Sequence, residues 1–432
     1  MFSLSIQNPI ILSLSLIFSA ISFLAEASVP PSETFQYINE GEFGEYIVEY
    51  DANYRALDPF AQPFQLCFYN TTPNEYTLAL RMGTVRSESL MRWVWEANRN
   101  KPVRENASLT FSTDGNLVLA DSDGAIAWQT NTADKGVIGF KLLSNGNMVL
   151  YGSNGEFIWQ SFDSPTDTLL VGQSLKIGGV TTLISRVSRV ENVNGPYSLV
   201  MEEKTLSLYY KSPNSPNRLI YFSFSDLISV SEGLKYVTLG PDLTLEYESG
   251  SVTLRRAKYN TTLTYLRLEI DGNVRLHTYE DNADWGAWEV TYALFDRNSW
   301  ESECQLPQKC GDFGVCDDNQ CVACPSPKGL MGWSENCEAE KVSSCGVNEF
   351  RYYKVQGVDH FSVKYSNGDG PMKMEVCRNK CSEDCKCLGY FYHTKSFRCW
   401  VVYDLGTSTK VENSTHLGYI KAPTKKVMLS DI

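Results

Sequence analysis

The sequence predicts a mainly β chain, with short alternating strands over its N-terminal two thirds and a disulfide-rich C-terminal third. Three observations carry the prediction. Residues 93–170 state one pattern twice: Asp114-Gly-Asn-Leu-Val-Leu with Gly124, Trp128 and Gln129, then Asn145-Gly-Asn-Met-Val-Leu with Gly155, Trp159 and Gln160, 31 residues on. A fixed period of that length marks one supersecondary unit reused around a shared core. From Leu170 to about residue 295 apolar and polar residues alternate between Gly, Pro, Asn and Ser breaks, with no helical period, as half-buried strands do. Twelve of the thirteen cysteines then fall between Cys304 and Cys399, a density that suits stapled extracellular modules.

In chain order, residues 9–25 are almost wholly apolar or Ser and run into Ala25-Glu-Ala27. This is the h-region and A-x-A cleavage site of a secretory signal peptide over 1–27, although the n-region lacks Lys and Arg. No later stretch has the length of apolar sequence that a transmembrane helix needs, and the 421–432 tail lacks a GPI-type apolar run. The expectation is a secreted chain with no membrane span. Four N-glycosylation sequons agree, at Asn70, Asn106, Asn260 and Asn413.

Glu45-Tyr-Ile-Val-Glu-Tyr-Asp51 and Phe64-Gln-Leu-Cys-Phe-Tyr69 read as strands closing the first unit. Trp95-Glu-Ala-Asn98 stands 33 residues before Trp128 and reads as a worn third copy of the repeat. Three units would then each hand one Trp to a common centre. Cys67 has no cysteine neighbour in sequence and is either a buried thiol or an intermolecular partner.

Each full copy also has the spacing of a ligand-reading strand. Positions i, i+2, i+4, i+6 and i+8 share one face of a strand, over roughly 13 Å. The rows are Ser112, Asp114, Asn116, Val118, Ala120 and Leu143, Asn145, Asn147, Val149, Tyr151. Amides and carboxylates can meet sugar hydroxyls, while Val and Tyr offer apolar surface to ring carbons. The same alternation also fits strands kept for the fold alone.

Six cysteines lie in 304–337 (Cys304, Cys310, Cys316, Cys321, Cys324, Cys337) and six in 345–420 (Cys345, Cys377, Cys381, Cys385, Cys387, Cys399). Cys321-Val-Ala-Cys324 has zinc or thioredoxin spacing, but an oxidising compartment and an even set of neighbours favour three disulfides in the first group. Six cysteines allow fifteen pairings. The net charge of −13 disfavours a nucleic-acid role and adhesion to acidic polymers. No nucleophile elbow, phosphate loop or H-E-x-x-H helix is present, and the four His (277, 360, 393, 416) are scattered. No enzyme activity, metal or cofactor is expected.

The two rows resemble the Gln-x-Asp-x-Asn-x-Val-x-Tyr mannose site of bulb-type lectins. Trp93-Val-Trp-Glu-Ala-Asn-Arg-Asn-Lys-Pro102-Val and Ile158-Trp-Gln-Ser-Phe-Asp-Ser-Pro-Thr-Asp-Thr-Leu-Leu170 resemble signatures of plant S-domain proteins. The likeness covers nearly the whole mature chain and is nearest to the epidermis-specific secreted glycoproteins, which lack a kinase. It implies tandem β-prism (bulb-lectin-like) domains at 44–165 and 170–295, then an EGF-like module at 300–338 and a PAN/apple domain at 345–420. Tyr265–His277, with Asp271-Gly-Asn273, is similar to the second prism, which carries no sugar site. Trp285, Trp288 and Trp300 mark its exit as core residues. Cys310-Gly-Asp-Phe-Gly-Val-Cys316 carries the EGF likeness. The PAN likeness implies a helix from near Pro371 that turns Cys377 and Cys381 inward, with pairs Cys377–Cys399, Cys381–Cys387 and Cys345–Cys385. The row departs from the family at Ser112, Ala120, Leu143 and Asn145. The implied function is a cell-wall or extracellular glycoprotein binding mannose-type glycans through Asp114, Asn116, Val118, Asn145, Asn147, Val149 and Tyr151. The alternative is an extracellular scaffold that has lost sugar binding and meets cell-wall or secreted proteins, or a second copy of itself, through its second prism, EGF-like and PAN parts.

Overall fold

A computed structural model describes residues 28–424 except 85–89, 259, 281, 284–285, 343–348 and 413–414. The predicted signal peptide, the Asn413 sequon, Trp285, Cys345 and the last eight residues lie outside the described residues.

The repeat does build a prism. Its three antiparallel sheets are Phe35–Ile38/Ser108–Phe111/Leu117–Ala120/Ile126–Gln129, then Val137–Leu142/Met148–Gly152/Phe157–Gln160, then Asn53–Ala61/Phe64–Thr72/Glu75–Met82/Arg92–Glu96. The last strand of each sheet gives one tryptophan to the centre. Trp95, Trp128 and Trp159 meet edge-to-face with centroids 5.8, 6.4 and 5.7 Å apart, the geometry that opposed ring quadrupoles prefer. Phe64, Leu66, Phe68, Leu109, Leu119 and Leu150 fill the space around them. The first sheet begins at Phe35, nine residues before the boundary expected at 44.

The expected strand over Glu45–Asp51 does not form. Val48 makes a single bridge to Met91, and Tyr50 and Asp51 take left-handed φ values of 67° and 53°. The cause is Glu49, whose carboxylate turns inward to receive the Trp93 N–H at 3.2 Å and Arg267 at 2.6 Å. A buried carboxylate needs such partners, and here they outweigh strand alternation.

The second prism repeats the plan with three four-stranded sheets between Thr168 and Ala293. Its own core includes Tyr197, Tyr221 and Phe295, with Tyr221 stacked 5.7 Å from Phe295 and edge-on to Tyr197 at 6.0 Å. Trp288 is half-buried against Tyr265 and Tyr279, but Trp300 is 38% exposed, against the expectation that it is core.

The two cysteine groups are not independent modules. Phe313–Asp317 pairs in parallel with Gly406–Lys410, so one five-stranded sheet runs through both. The second group adds a four-stranded sheet and the helix Met374–Glu383. That helix starts three residues after Pro371, and the Met372 N–H just before it donates to the Phe397 carbonyl at 2.8 Å. The first group pairs Cys304–Cys316, Cys310–Cys321 and Cys324–Cys337. The second contains Cys377–Cys399 and Cys381–Cys387. Cys385 is also disulfide-bonded, and the expected Cys345 pairing falls outside the described residues. Cys67 is a fully buried free thiol, which burial pushes up to about 12. A thiol so enclosed is no partner for another chain.

Candidate functional site

The two candidate rows are not single strand faces. Their strands begin only at Leu117 and Met148. Residues 112–116 and 143–147 form the preceding hairpin turns, which pivot on Gly115 and Gly146, each at φ +85°. A side chain there would strike Val137 at 2.7 Å in the first copy and Leu170 and Phe64 at 2.8 Å in the second. Asp-Gly-Asn is turn chemistry, and it overrides the alternation that joined Ser112, Asp114 and Asn116 on one face.

Within each turn one side chain makes the bend and another locks it. Asp114 Oδ1 accepts the Asn116 N–H at 2.9 Å, and Asn145 Oδ1 accepts the Asn147 N–H at 3.1 Å. Asn116 is 8% exposed and Asn147 4%. The Asn116 amide donates to Gln129 Oε1 at 3.0 Å, and its carbonyl accepts from Thr130 Oγ1 at 3.0 Å and Thr132 N–H at 3.1 Å. Asn147 repeats this on Gln160 at 2.8 Å, Ser161 Oγ at 3.3 Å and Phe162 N–H at 3.2 Å. Both carbonyl lone pairs are filled by the chain itself. This also explains Gln129 and Gln160, the last residues of the repeat: each receives the asparagine of its own hairpin. In the second prism Asp271 and Asn273 do the same, Asn273 exchanging two bonds with the Phe295 backbone at 2.8 and 3.1 Å.

Of the other row residues, Asp114 and Asn145 are exposed, Val118 is half-buried and Val149 is buried. Tyr151 is half-buried, lies across Gly139 and carries Lys141 Nζ 4.5 Å above its ring. Asn106 and Asn260 are exposed sequon residues, whereas Asn70 is 4% exposed and holds Asn53 at 3.3 Å. Among the described residues no group of three or more His, Cys, Asp or Glu is placed to hold a metal ion, and no helix is long and apolar enough to cross a membrane.

A second concavity has no motif in the sequence. It runs between the outer face of the second prism and the loop 362–369 of the C-terminal unit, and Tyr209, Asn217, Trp300, Asn367 and Trp400 line it. Its residues come from stretches far apart in the chain, so no local spacing announces it.

Two prisms, each closed by three antiparallel sheets on an aromatic centre, followed by a disulfide-rich unit, define a lectin-type architecture. The family of D-mannose binding lectins matches residues 92–189, and the S-locus glycoprotein domain matches 224–333. EP1-like glycoprotein 3 of Arabidopsis thaliana is 49% identical over 95% of this chain and 97% of its own length. The epidermis-specific secreted glycoprotein EP1 of Daucus carota is 56% identical over 81% of this chain and 98% of its own. A PAN domain-containing protein of Arabidopsis thaliana is 25% identical over 76% of this chain and 66% of its own. The chain belongs to the EP1-like glycoprotein family.

Proposed function

We propose that this is a secreted, non-enzymatic glycoprotein of the cell exterior and wall, in which the bulb-type lectin prism is a scaffold and recognition rests on surfaces outside the two hairpin rows. We further propose that 300–338 and 345–420 act as EGF-like and PAN/apple modules, fused through their common sheet. The observation that carries the scaffold reading is the bonding of Asn116 and Asn147. Their carbonyl oxygens are spent on the hairpins, the first copy has Ala120 where the family has Tyr, and the second has Asn145 where it has Asp. Secretion is supported by the leader-like segment, the sequons, the disulfides and the secreted relative.

One observation favours a second reading, weak mannose-type binding: Asp114 stays exposed and the Tyr151 ring is only half covered. A glycan array with the glycosylated protein separates the two, beside an Asp114→Ala/Tyr151→Ala variant whose substitutions leave the asparagine locks in place. The scaffold reading expects the same signal from both proteins. Mannose-type binding that the variant loses would replace it with a working lectin site.

A further inference from the structure

We infer that the cleft between the second prism and the C-terminal unit is a binding site for neutral oligosaccharides several rings long. The proposal deepens the scaffold reading and rests on it. The cleft has two cavities of about 600 and 690 Å³, joined where Ile220, Ser366 and Asn367 line both. Each lies within the roughly 300–1,000 Å³ range of ligand sites, and together they make an elongated trough.

Its floor is the outer face of Leu206–Tyr210 and Leu219–Ser223, the latter an edge strand. Alternation sends Leu206, Leu208 and Tyr210 into the prism core and leaves Thr205, Ser207 and Tyr209 facing the cleft. Glu202 ties this floor together, accepting from Ser207 Oγ at 2.9 Å and Tyr209 Oη at 2.5 Å, while Arg218 lies 3.9 Å over the Tyr209 ring. Each cavity has one indole. Trp400 is held by its Nε1–H on Ser366 Oγ at 2.8 Å. Trp300 is gripped edge-to-face by Phe224 at 6.0 Å and Tyr292 at 5.9 Å, yet remains exposed. Such fixed indoles offer rigid apolar surface to sugar ring carbons at little entropic cost.

The polar lining suits hydroxyls rather than charges. Asn217 and Asn367 are exposed, and their side-chain amides bond to no other described residue, so each offers two donors and an acceptor. Three basic and three acidic side chains line the trough, and they are largely spent on each other or on neighbours: Arg218 with Glu202 at 3.8 Å, Lys380 with Asp369 at 2.9 Å, and Lys364 with Glu301. With no charge excess there is nothing to attract a polyanion or a basic peptide. A trough with fixed aromatic faces, unspent amides and balanced charge fits an uncharged polyhydroxylated chain.

The test is isothermal titration of the full secreted protein with mannohexaose, cellohexaose and, as anionic control, hexagalacturonate. The proposal expects a neutral hexasaccharide to bind, with indole fluorescence changing on titration and monomeric mannose failing to compete. Asn217→Ala/Asn367→Ala should weaken binding at least tenfold, and Asn367→Trp, which fills the junction of both cavities, should abolish it. Asp114→Ala/Tyr151→Ala should leave it unchanged. No heat with either neutral hexasaccharide, binding of hexagalacturonate alone, or affinity indifferent to the cleft variants would overturn the proposal and leave the scaffold reading standing. Binding lost only in the hairpin variant would overturn both.

Discussion

Asn116, Asn147 and Asn273 give one device three times: a buried amide that clamps the end of a hairpin to the segment that follows its partner strand. Removing the Asn147 side chain leaves the Phe162 N–H and Gln160 without their partner inside the fold. A buried group left unsatisfied costs about 1–3 kcal/mol, beyond the ~1 kcal/mol net worth of an ordinary hydrogen bond. Asn147→Ala should therefore lower unfolding free energy by about 2–4 kcal/mol, measured in urea, whereas Asp114→Ala, at an exposed turn, should cost under about 1 kcal/mol. An Asn147→Ala protein with an unmoved midpoint would return the residue to the ligand site. Residue burial also ranks the sequons. Mass spectrometry of glycopeptides should find glycan on Asn106 and Asn260, both exposed, and none on Asn70, which lies in the strand Phe64–Thr72 with 4% exposure. A fully occupied Asn70 would mean that strand sits differently.

At the scale of elements, the three-tryptophan centre was legible in the sequence because it rests on a repeat period, and periodicity survives local detail. The rows and the Glu45–Asp51 strand were misread for a common reason. Alternation describes side chains one at a time, while Gly115, Gly146 and Glu49 act through what lies across from them: Val137, Phe64 and Arg267. The cleft was illegible for the same reason at longer range. The strand Val358–His360 shows a further case, since nothing near His360 in sequence marks it as buried. Its Nδ1 accepts the Ser362 N–H at 3.3 Å and its Nε2 faces the Asp404 carbonyl at 3.0 Å, so the ring is neutral with the proton on Nε2. Burial pushes this imidazole from 6.5 down to about 4, although the Asp404 and Leu405 backbone opposes the shift. The unfolded chain then binds the extra proton first, so stability is complete above about pH 6.5 and falls as pH drops towards 4. At 1.36 kcal/mol per pKa unit the full loss is roughly 3 kcal/mol. Chemical denaturation between pH 7 and 4.5 should show that slope, and His360→Gln should flatten it. Equal slopes in both proteins would assign the acid sensitivity elsewhere.

Across the whole molecule the two prisms are joined by buried charge rather than by a linker. Arg99 reaches Glu96 at 2.6 Å and Asp167 at 2.8 Å, and Arg186 donates to Tyr69 at 2.7 Å. Burial alone would raise the Asp167 carboxyl, yet the Arg99 and Arg267 guanidinium groups hold it below the usual carboxylate range. Arg267, 2% exposed on a second-prism strand, crosses to Glu49 at 2.6 Å and to the Trp93 carbonyl of the first prism. Such a pair adds little over a well-packed apolar substitute, but breaking it leaves a charge stranded, at about 3–5 kcal/mol. Arg92 stands 3.7 Å from Glu49 and softens the loss, so Arg267→Met should fall at the lower end, near 3 kcal/mol. Calorimetry should show the wild-type prisms melting in one transition and Arg267→Met splitting or lowering it. The decisive variant is Glu49→Gln/Arg267→Met. With no stranded carboxylate it should recover most of the stability lost in the single variant, a coupling of at least about 1 kcal/mol in the double-mutant cycle. If the two substitutions simply add, the Glu49–Arg267 pair contributes nothing to the junction, and its remaining contacts, Arg186 with Tyr69 among them, hold the prisms together.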